Sequence, residues 1–98
     1  PPYCDRCGNR VRPGVVWFGE PLPFAALDAA QKAARACQVM LVIGTSGAVY
    51  PAAGLAQRAR SAGAKVVIVN PEPTALDEIA HAVLADTSAQ ALPRLLEV

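Results

Sequence analysis

Two stretches of the chain carry apolar residues with almost no polar interruption, Val39–Ile43 (VMLVI) and Lys65–Val69 (KVVIV). Short continuous runs of this kind, rich in β-branched residues, predict strands buried on both faces. Between them, Pro51–Ala62 repeats small apolar residues at helical spacing. Ala52, Leu55, Ala56, Ala59 and Ala62 fall on one side, and Gln57, Arg58, Arg60 and Ser61 on the other. Pro51 suits a first helical turn, where its missing N–H costs nothing, and Gly63 suits a C-cap. Strand, helix and strand in this order predict a parallel pair with a right-handed crossover. Both carboxyl ends then share one edge of the sheet. Gly44-Thr45-Ser46-Gly47 and Asn70-Pro71-Glu72-Pro73 follow those ends, so two polar loops are expected side by side.

The flanking segments extend this α/β pattern. Phe24, Leu27, Ala30, Ala34 and Cys37 recur at helical spacing, with Asp28, Gln31, Lys32 and Arg35 opposite, predicting a helix over Phe24–Cys37. Cys37 closes its apolar stripe and is expected as a buried thiol. Thr74 is a candidate N-cap for a short helix over Ala75–Ala82, with Leu76, Ile79 and Ala80 inward and His81 solvated on the polar side. Val83-Leu84-Ala85 is a candidate last strand. Thr87 with Gln90 resembles a capping box for a final helix whose apolar side is Leu92, Leu95 and Leu96, kinked or restarted by Pro93. Near the amino end, Val15-Val16-Trp17-Phe18 lies between prolines and predicts an edge or isolated extended segment. Trp17 is expected in the core, whereas the backbone around Phe18-Gly19-Glu20 could take a peptide as an added strand.

Composition narrows the function classes. At 98 residues, 53% hydrophobic and 17% charged, the chain is globular and one domain or a piece of one. A net charge of +1 with scattered basic residues carries no nucleic-acid or membrane-surface footprint. No apolar run approaches the ~20 residues of a membrane span, and no signal peptide is evident. Three cysteines argue against a disulfide framework and for a reducing compartment, so a cytoplasmic location is expected. Three or four short strands fall below the ~4–6 of a typical sheet, and the sequence opens at Pro1. The expectation is the carboxyl-terminal part of a larger fold.

Two constellations carry chemistry. Cys4-x-x-Cys7-Gly8 has the spacing of half a zinc knuckle, two thiolates on one tight turn, and tetrahedral zinc needs four ligands. A redox dithiol or idle surface thiols remain alternatives for so short a motif. At the shared sheet edge, Thr45, Ser46, Asn70 and Glu72 offer the donors and acceptors that a ribose diol requires, although the GxGxxG turn of dinucleotide folds is absent.

Taken in series, CxxCG, RPxVVWFGE, a strand ending in IGTSGxVYPAA, and VNPEP resemble the carboxyl-terminal part of a sirtuin, a NAD-dependent protein-lysine deacylase. The resemblance spans essentially the whole chain and looks most like the bacterial and archaeal class that includes desuccinylase-type members. It implies the carboxyl-terminal part of a Rossmann-like parallel sheet with flanking helices over residues 15–98. It also implies half of a small zinc-ribbon module over residues 1–14, with Cys4 and Cys7 as the second pair of a Cys4 zinc site. Val16, Phe18, Gly19 and Glu20 would line an acyl-lysine channel and pair with the substrate peptide. Gly44, Thr45 and Ser46 would contact NAD; Asn70, Pro71 and Glu72 would hold the adenosine ribose, with Ser88 beside the adenine.

In the implied reaction the acyl oxygen of an acylated lysine protein or peptide attacks the ribose carbon as nicotinamide leaves. A histidine base assists, and free lysine and O-acyl-ADP-ribose result. The glycine-rich phosphate loop, the first CxxC and that histidine would lie upstream of Pro1, so these residues alone are expected to be inactive. Asp86 stands where glycine is usual near the adenine, and Cys37-Gln38 where Ala-Asp is commoner. The alternative readings are a non-catalytic nucleotide-binding module and a zinc-ribbon interaction module.

Overall fold

Val66, Ile68 and Val69 lose essentially all contact with solvent, and their strand is the middle one of a three-stranded sheet. The computed structural model describes residues 1–97. Its elements run α1 (Phe24–Ala36), β1 (Val39–Ile43), α2 (Gly54–Ser61), β2 (Lys65–Val69), a 3-10 turn (Asp77–Ile79), β3 (Ala82–Leu84) and α3 (Ser88–Leu95). The sheet order is β1-β2-β3 with both pairings parallel, as a helix between strands requires.

Alanines let the layers approach closely. Ala56 of α2 packs with Val66, Ile68 and Leu76, while Ala34 of α1 meets Ala59 and Ala64. Helix α2 thus lies on the sheet and α1 lies against α2. Every buried side chain belongs to residues from Ala34 onward, so residues 1–23 stand outside this core. The radius of gyration, 16.9 Å, accordingly exceeds the about 13 Å of a compact 100-residue domain. Among the described residues no helix is long and apolar enough to cross a membrane.

Several expectations change on inspection. Among the described residues β1 lies at the edge of the sheet and is only half-buried at Met40, Leu41 and Val42, with β2 in the central place. Pro51 does not open α2; residues Tyr50–Ala53 form turns, with Gly54 N–H donating to Pro51 O at 3.1 Å. The segment after Thr74 is a turn with only a 3-10 helix, since Ala82 leaves it to pair with Val67 of β2. Thr87 does precede α3, but its side chain makes no capping bond; its N–H donates instead to Asp86 Oδ1 at 2.8 Å. Residues Val15–Phe18 form no strand, and Trp17 is 52% exposed rather than core.

Candidate functional site

The three strands end level with one another. Ile43 pairs with Val69, and Val69 with Leu84. Gly44 N–H donates to Val69 O at 3.0 Å and Asn70 N–H to Leu84 O at 3.1 Å, carrying the ladder one step into the loops. Gly44, Thr45 and Ser46 therefore follow β1 at the same edge where Asn70, Pro71 and Glu72 follow β2. Ser88, first residue of α3, follows β3. Ser46, Glu72 and Ser88 are solvent-exposed.

The loop after β1 is shaped by its glycines. Gly44 and Gly47 have φ of +63° and +67°, a region costly for other L-residues. Gly47 N–H donates to Thr45 Oγ1 at 3.3 Å. Ser46 O accepts from Ala75 N–H at 2.9 Å, tying this loop to the segment after β2. There Thr74 Oγ1 accepts from Leu76 N–H at 3.2 Å and donates to Asp77 Oδ1 at 2.6 Å. Asn70 Nδ2 donates to Glu72 O at 2.7 Å, so part of its side chain serves its own turn. Leu76 is buried directly under Gly47. The result is a polar, backbone-rich edge able to meet a flat hydroxylated ligand closely.

An apolar cleft of about 480 Å³ adjoins this edge, walled by Val16, Trp17, Phe18 and Leu22 on one side and Val49, Tyr50 and Pro51 on the other. A second concavity, about 260 Å³, lies over β1 and shares Val49 and Ala52 with the first while reaching Thr45 and Gly47. Of the expected Gly44, Thr45 and Ser46, only Thr45 lines this second concavity, which borders the cleft at Val16–Glu20 through Val49 and Ala52. A larger concavity of about 590 Å³ between α1 and α2, lined by Arg35 and Arg58 among others, holds none of the expected site residues.

Glu20 is not free. Arg12 Nη1 donates to Glu20 Oε1 at 2.6 Å and Arg12 Nη2 to Glu20 Oε2 at 3.1 Å. Trp17 N–H donates to Oε2 at 3.0 Å. The guanidinium, and then the Trp17 amide, hold the Glu20 carboxyl below its usual pKa. The same guanidinium sits 4.0 Å above the centre of the Trp17 ring.

Cys4 and Cys7 sit on a knuckle turn closed by an antiparallel bridge between Tyr3 and Arg10. Gly8 N–H donates to Cys4 O, and Cys4 N–H to Asn9 O, both at 2.8 Å. Backbone N–H groups of Arg6 and then Cys7, with the Cys7 thiol, aim at the Cys4 sulfur and lower its pKa, favouring thiolate. All three cysteines are free, and no cluster of three or more His, Cys, Asp or Glu side chains suits a metal among the described residues. Cys37 is half-buried, its thiol donating to Ala34 O at 3.3 Å. His81 is engaged as well: Val66 N–H donates to its Nδ1 at 3.0 Å, and its own N–H donates to Val66 O at 2.8 Å.

Three residues, Arg12, Val49 and Tyr50, belong to the quoted motifs, but their places in the site do not follow from the pattern. Arg12 opens the RPxVVWFGE motif, yet nothing in its spacing signals its pairing with Glu20 eight residues on. Val49 and Tyr50 precede the helix expected from Pro51, and the turns over Tyr50–Ala53 that delay α2 leave them in the apolar cleft. His81 was expected to be merely solvated, but its ring extends the β2–β3 ladder.

A model of the Sir2 family matches residues 1–51. A "NAD-dependent protein deacylase" from Ralstonia nicotianae is 54% identical over 96 residues, covering 98% of this chain and 39% of that protein. A solved complex described as Sir2-p53 peptide-NAD+ superposes with a TM-score of 0.87 at 38% identity, covering 98% of this chain and 40% of the other. A Sir2 homologue mutant in complex with 2'-O-acetyl ADP ribose superposes at 0.91 and 40% identity, covering 98% and 39%. The chain therefore spans about two fifths of the length of the curated relative and solved structures it matches.

Proposed function

Because this chain belongs to the Sir2 family, we propose that its residues act within a longer NAD-dependent enzyme. That enzyme uses NAD and water to remove acyl groups, acetyl or succinyl, from protein lysines, releasing free lysine, nicotinamide and O-acyl-ADP-ribose. The single observation that carries the reading is that the apolar cleft at Val16–Glu20 shares Val49 and Ala52 with a concavity that reaches Thr45 and Gly47 in the loop after β1. An acylated lysine is long and apolar, whereas NAD presents ribose hydroxyls and phosphates. The two need adjoining sites of opposite character.

In this reading Val16, Phe18, Gly19 and Glu20 receive the acyl-lysine and its peptide backbone. Gly44, Thr45 and Ser46 let NAD approach the backbone closely, Asn70, Pro71 and Glu72 hold the adenosine ribose, and Ser88 flanks the adenine. No general base comes from these residues, since His81 Nδ1 is occupied by the Val66 amide. The base and the phosphate-binding loop are supplied from elsewhere, and residues 1–98 alone are inactive. Cys4 and Cys7, with amides aimed at the Cys4 sulfur, fit two corners of a tetrahedral zinc site. Such an ion would cross-link residues 1–14 to a second thiolate pair, a structural role. Three free cysteines suit a reducing, cytoplasmic setting. Near-neutral charge favours protein substrates over nucleic acid or membrane.

One observation favours a rival, a nucleotide-binding module without catalysis: the sole histidine of these residues is structural. The experiment that separates the two is mass spectrometry of acetyl- and succinyl-lysine peptides incubated with the full-length protein, with and without NAD, and with residues 1–98 in parallel. NAD-dependent loss of acyl mass with nicotinamide release, from the full-length protein only, is expected. No turnover by the folded full-length protein sinks the deacylase reading, and turnover by residues 1–98 sinks the assignment of the base to another segment.

A further inference from the structure

We infer that Arg12 is a positioning residue that preforms the peptide-facing loop by clamping Glu20 and Trp17. The inference rests on the deacylase reading for the identity of the peptide. The geometry is a closed loop of contacts. Arg12 grips both oxygens of Glu20, at 2.6 and 3.1 Å, the bidentate pairing that only a guanidinium makes. Its Nη2 also donates to Val15 O at 3.3 Å, and its plane covers the Trp17 ring at 4.0 Å. Glu20 in turn accepts the Trp17 N–H at 3.0 Å, and Glu20 N–H donates to Trp17 O at 3.0 Å. Residues 12, 15, 17 and 20 are thereby held in one arrangement. Phe18 and Gly19 project from it; Phe18 is 92% exposed and Gly19 has φ +85°.

What makes this functional is where the loop sits. It joins no strand, and none of its side chains is buried in the core. Within the described residues, hydrophobic burial therefore does not fix its shape. An exposed ion pair adds little to folding, so the clamp does little for the stability of these residues. Its effect falls on the free energy of ordering residues 15–20 when a peptide docks. A loop already ordered spares binding that cost. The clamp also sets charge. With both oxygens of Glu20 taken, the wall of the cleft shows the peptide Glu20's backbone and not an open carboxylate. Removing Arg12 uncovers that carboxylate beside the peptide.

The test is steady-state kinetics of the full-length protein with acetyl-lysine peptides. Arg12→Ala is expected to raise the peptide KM about tenfold, equivalent to about 1.4 kcal/mol. The KM for NAD stays unchanged and kcat stays within about twofold, the split expected when uniform binding is lost. Arg12→Lys keeps the charge but loses the fork, and falls between. Guanidinium ion at millimolar concentration lowers the Arg12→Ala peptide KM, whereas equal sodium chloride does not. Arg12→Ala with Glu20→Gln is no worse than the poorer single variant. Arg12→Ala also shifts preference toward peptides with Lys or Arg flanking the acyl-lysine. If Arg12→Ala fails to fold, Arg12→Lys and Arg12→Gln carry the measurement. An unchanged peptide KM, a parallel loss in NAD KM and kcat, or additive single variants overturns the clamp while leaving wild-type turnover and the deacylase reading intact. Absence of wild-type turnover overturns that reading and the clamp's role with it.

Discussion

Gly47 offers the sharpest test of how the site edge is built. A Cβ placed on it would lie 2.7 Å from Leu76 Cγ and 2.8 Å from Leu76 Cδ1. Leu76 is only 3% exposed and belongs to the same cluster as Ala56, Val66 and Ile68, so it has little room to retreat. Gly47→Ala therefore combines two costs. The backbone at φ +67° adds about 1–2 kcal/mol for an L-residue, and the clash adds about 1–3 kcal/mol as overpacking. The sum, about 2–5 kcal/mol, is a large share of the roughly 5–15 kcal/mol that holds a domain together. Gly44 supplies an internal control: its φ is +63° but its Cβ would meet nothing within 4 Å. Gly44→Ala should show the backbone cost alone. Equilibrium urea unfolding of both variants, and of Gly47→Ala in a Leu76→Ala background, isolates the clash. In that background Gly47→Ala should cost no more than Gly44→Ala does in the wild type. Equal destabilisation by the two alanines in the wild-type background would refute the packing account, as would a Gly47→Ala effect that ignores Leu76.

Two further outcomes can be checked. His81→Ala leaves the buried Val66 N–H without its acceptor, and should cost about 1–3 kcal/mol with faster hydrogen exchange at the Val66 amide; unchanged exchange there would show the ring bond to be unimportant. Cys4→Ser or Cys7→Ser should remove zinc from the full-length protein, measured by inductively coupled plasma mass spectrometry. Chelation should leave most of the helical circular dichroism, because no core side chain comes from residues 1–14; stoichiometric zinc in either serine variant, or collapse of the helix signal, contradicts this.

The strands and their parallel pairing were legible because Val39–Ile43 and Lys65–Val69 admit few other conformations: they are β-branched, apolar and separated by a helix-length, alanine-rich stretch. From that pairing alone, the meeting of Gly44–Ser46 with Asn70–Glu72 at one edge follows. What the pattern could not resolve were places where a short polar side chain competes with the backbone. Leu76, Ile79 and Ala80 fit a helix as well as a turn; Thr74, bonding Leu76 N–H and Asp77, closes the chain locally and frees Ala82 for the sheet. Asp86 likewise engages the Thr87 N–H, while the Thr87 side chain makes no capping bond. Trp17 suggested core by its type, but an arginine five residues earlier gives its ring a partner at the surface. Arg12 and Glu20 are distant in pattern and adjacent in space, a relation that periodicity does not encode.

The outer edge of β1 makes protein concentration a variable for these residues. Among the described residues its backbone groups face no neighbouring strand, and Val39 and Ile43 remain partly exposed beside them. An open, flat, apolar edge is a template for another chain. Produced alone, residues 1–98 should associate by a second-order process, edge to edge. Dilution should protect them, and a soluble strand-forming peptide complementary to Val39–Ile43 should cap growth. The same five residues that begin the site's architecture would then govern how long a solution of the isolated piece stays clear.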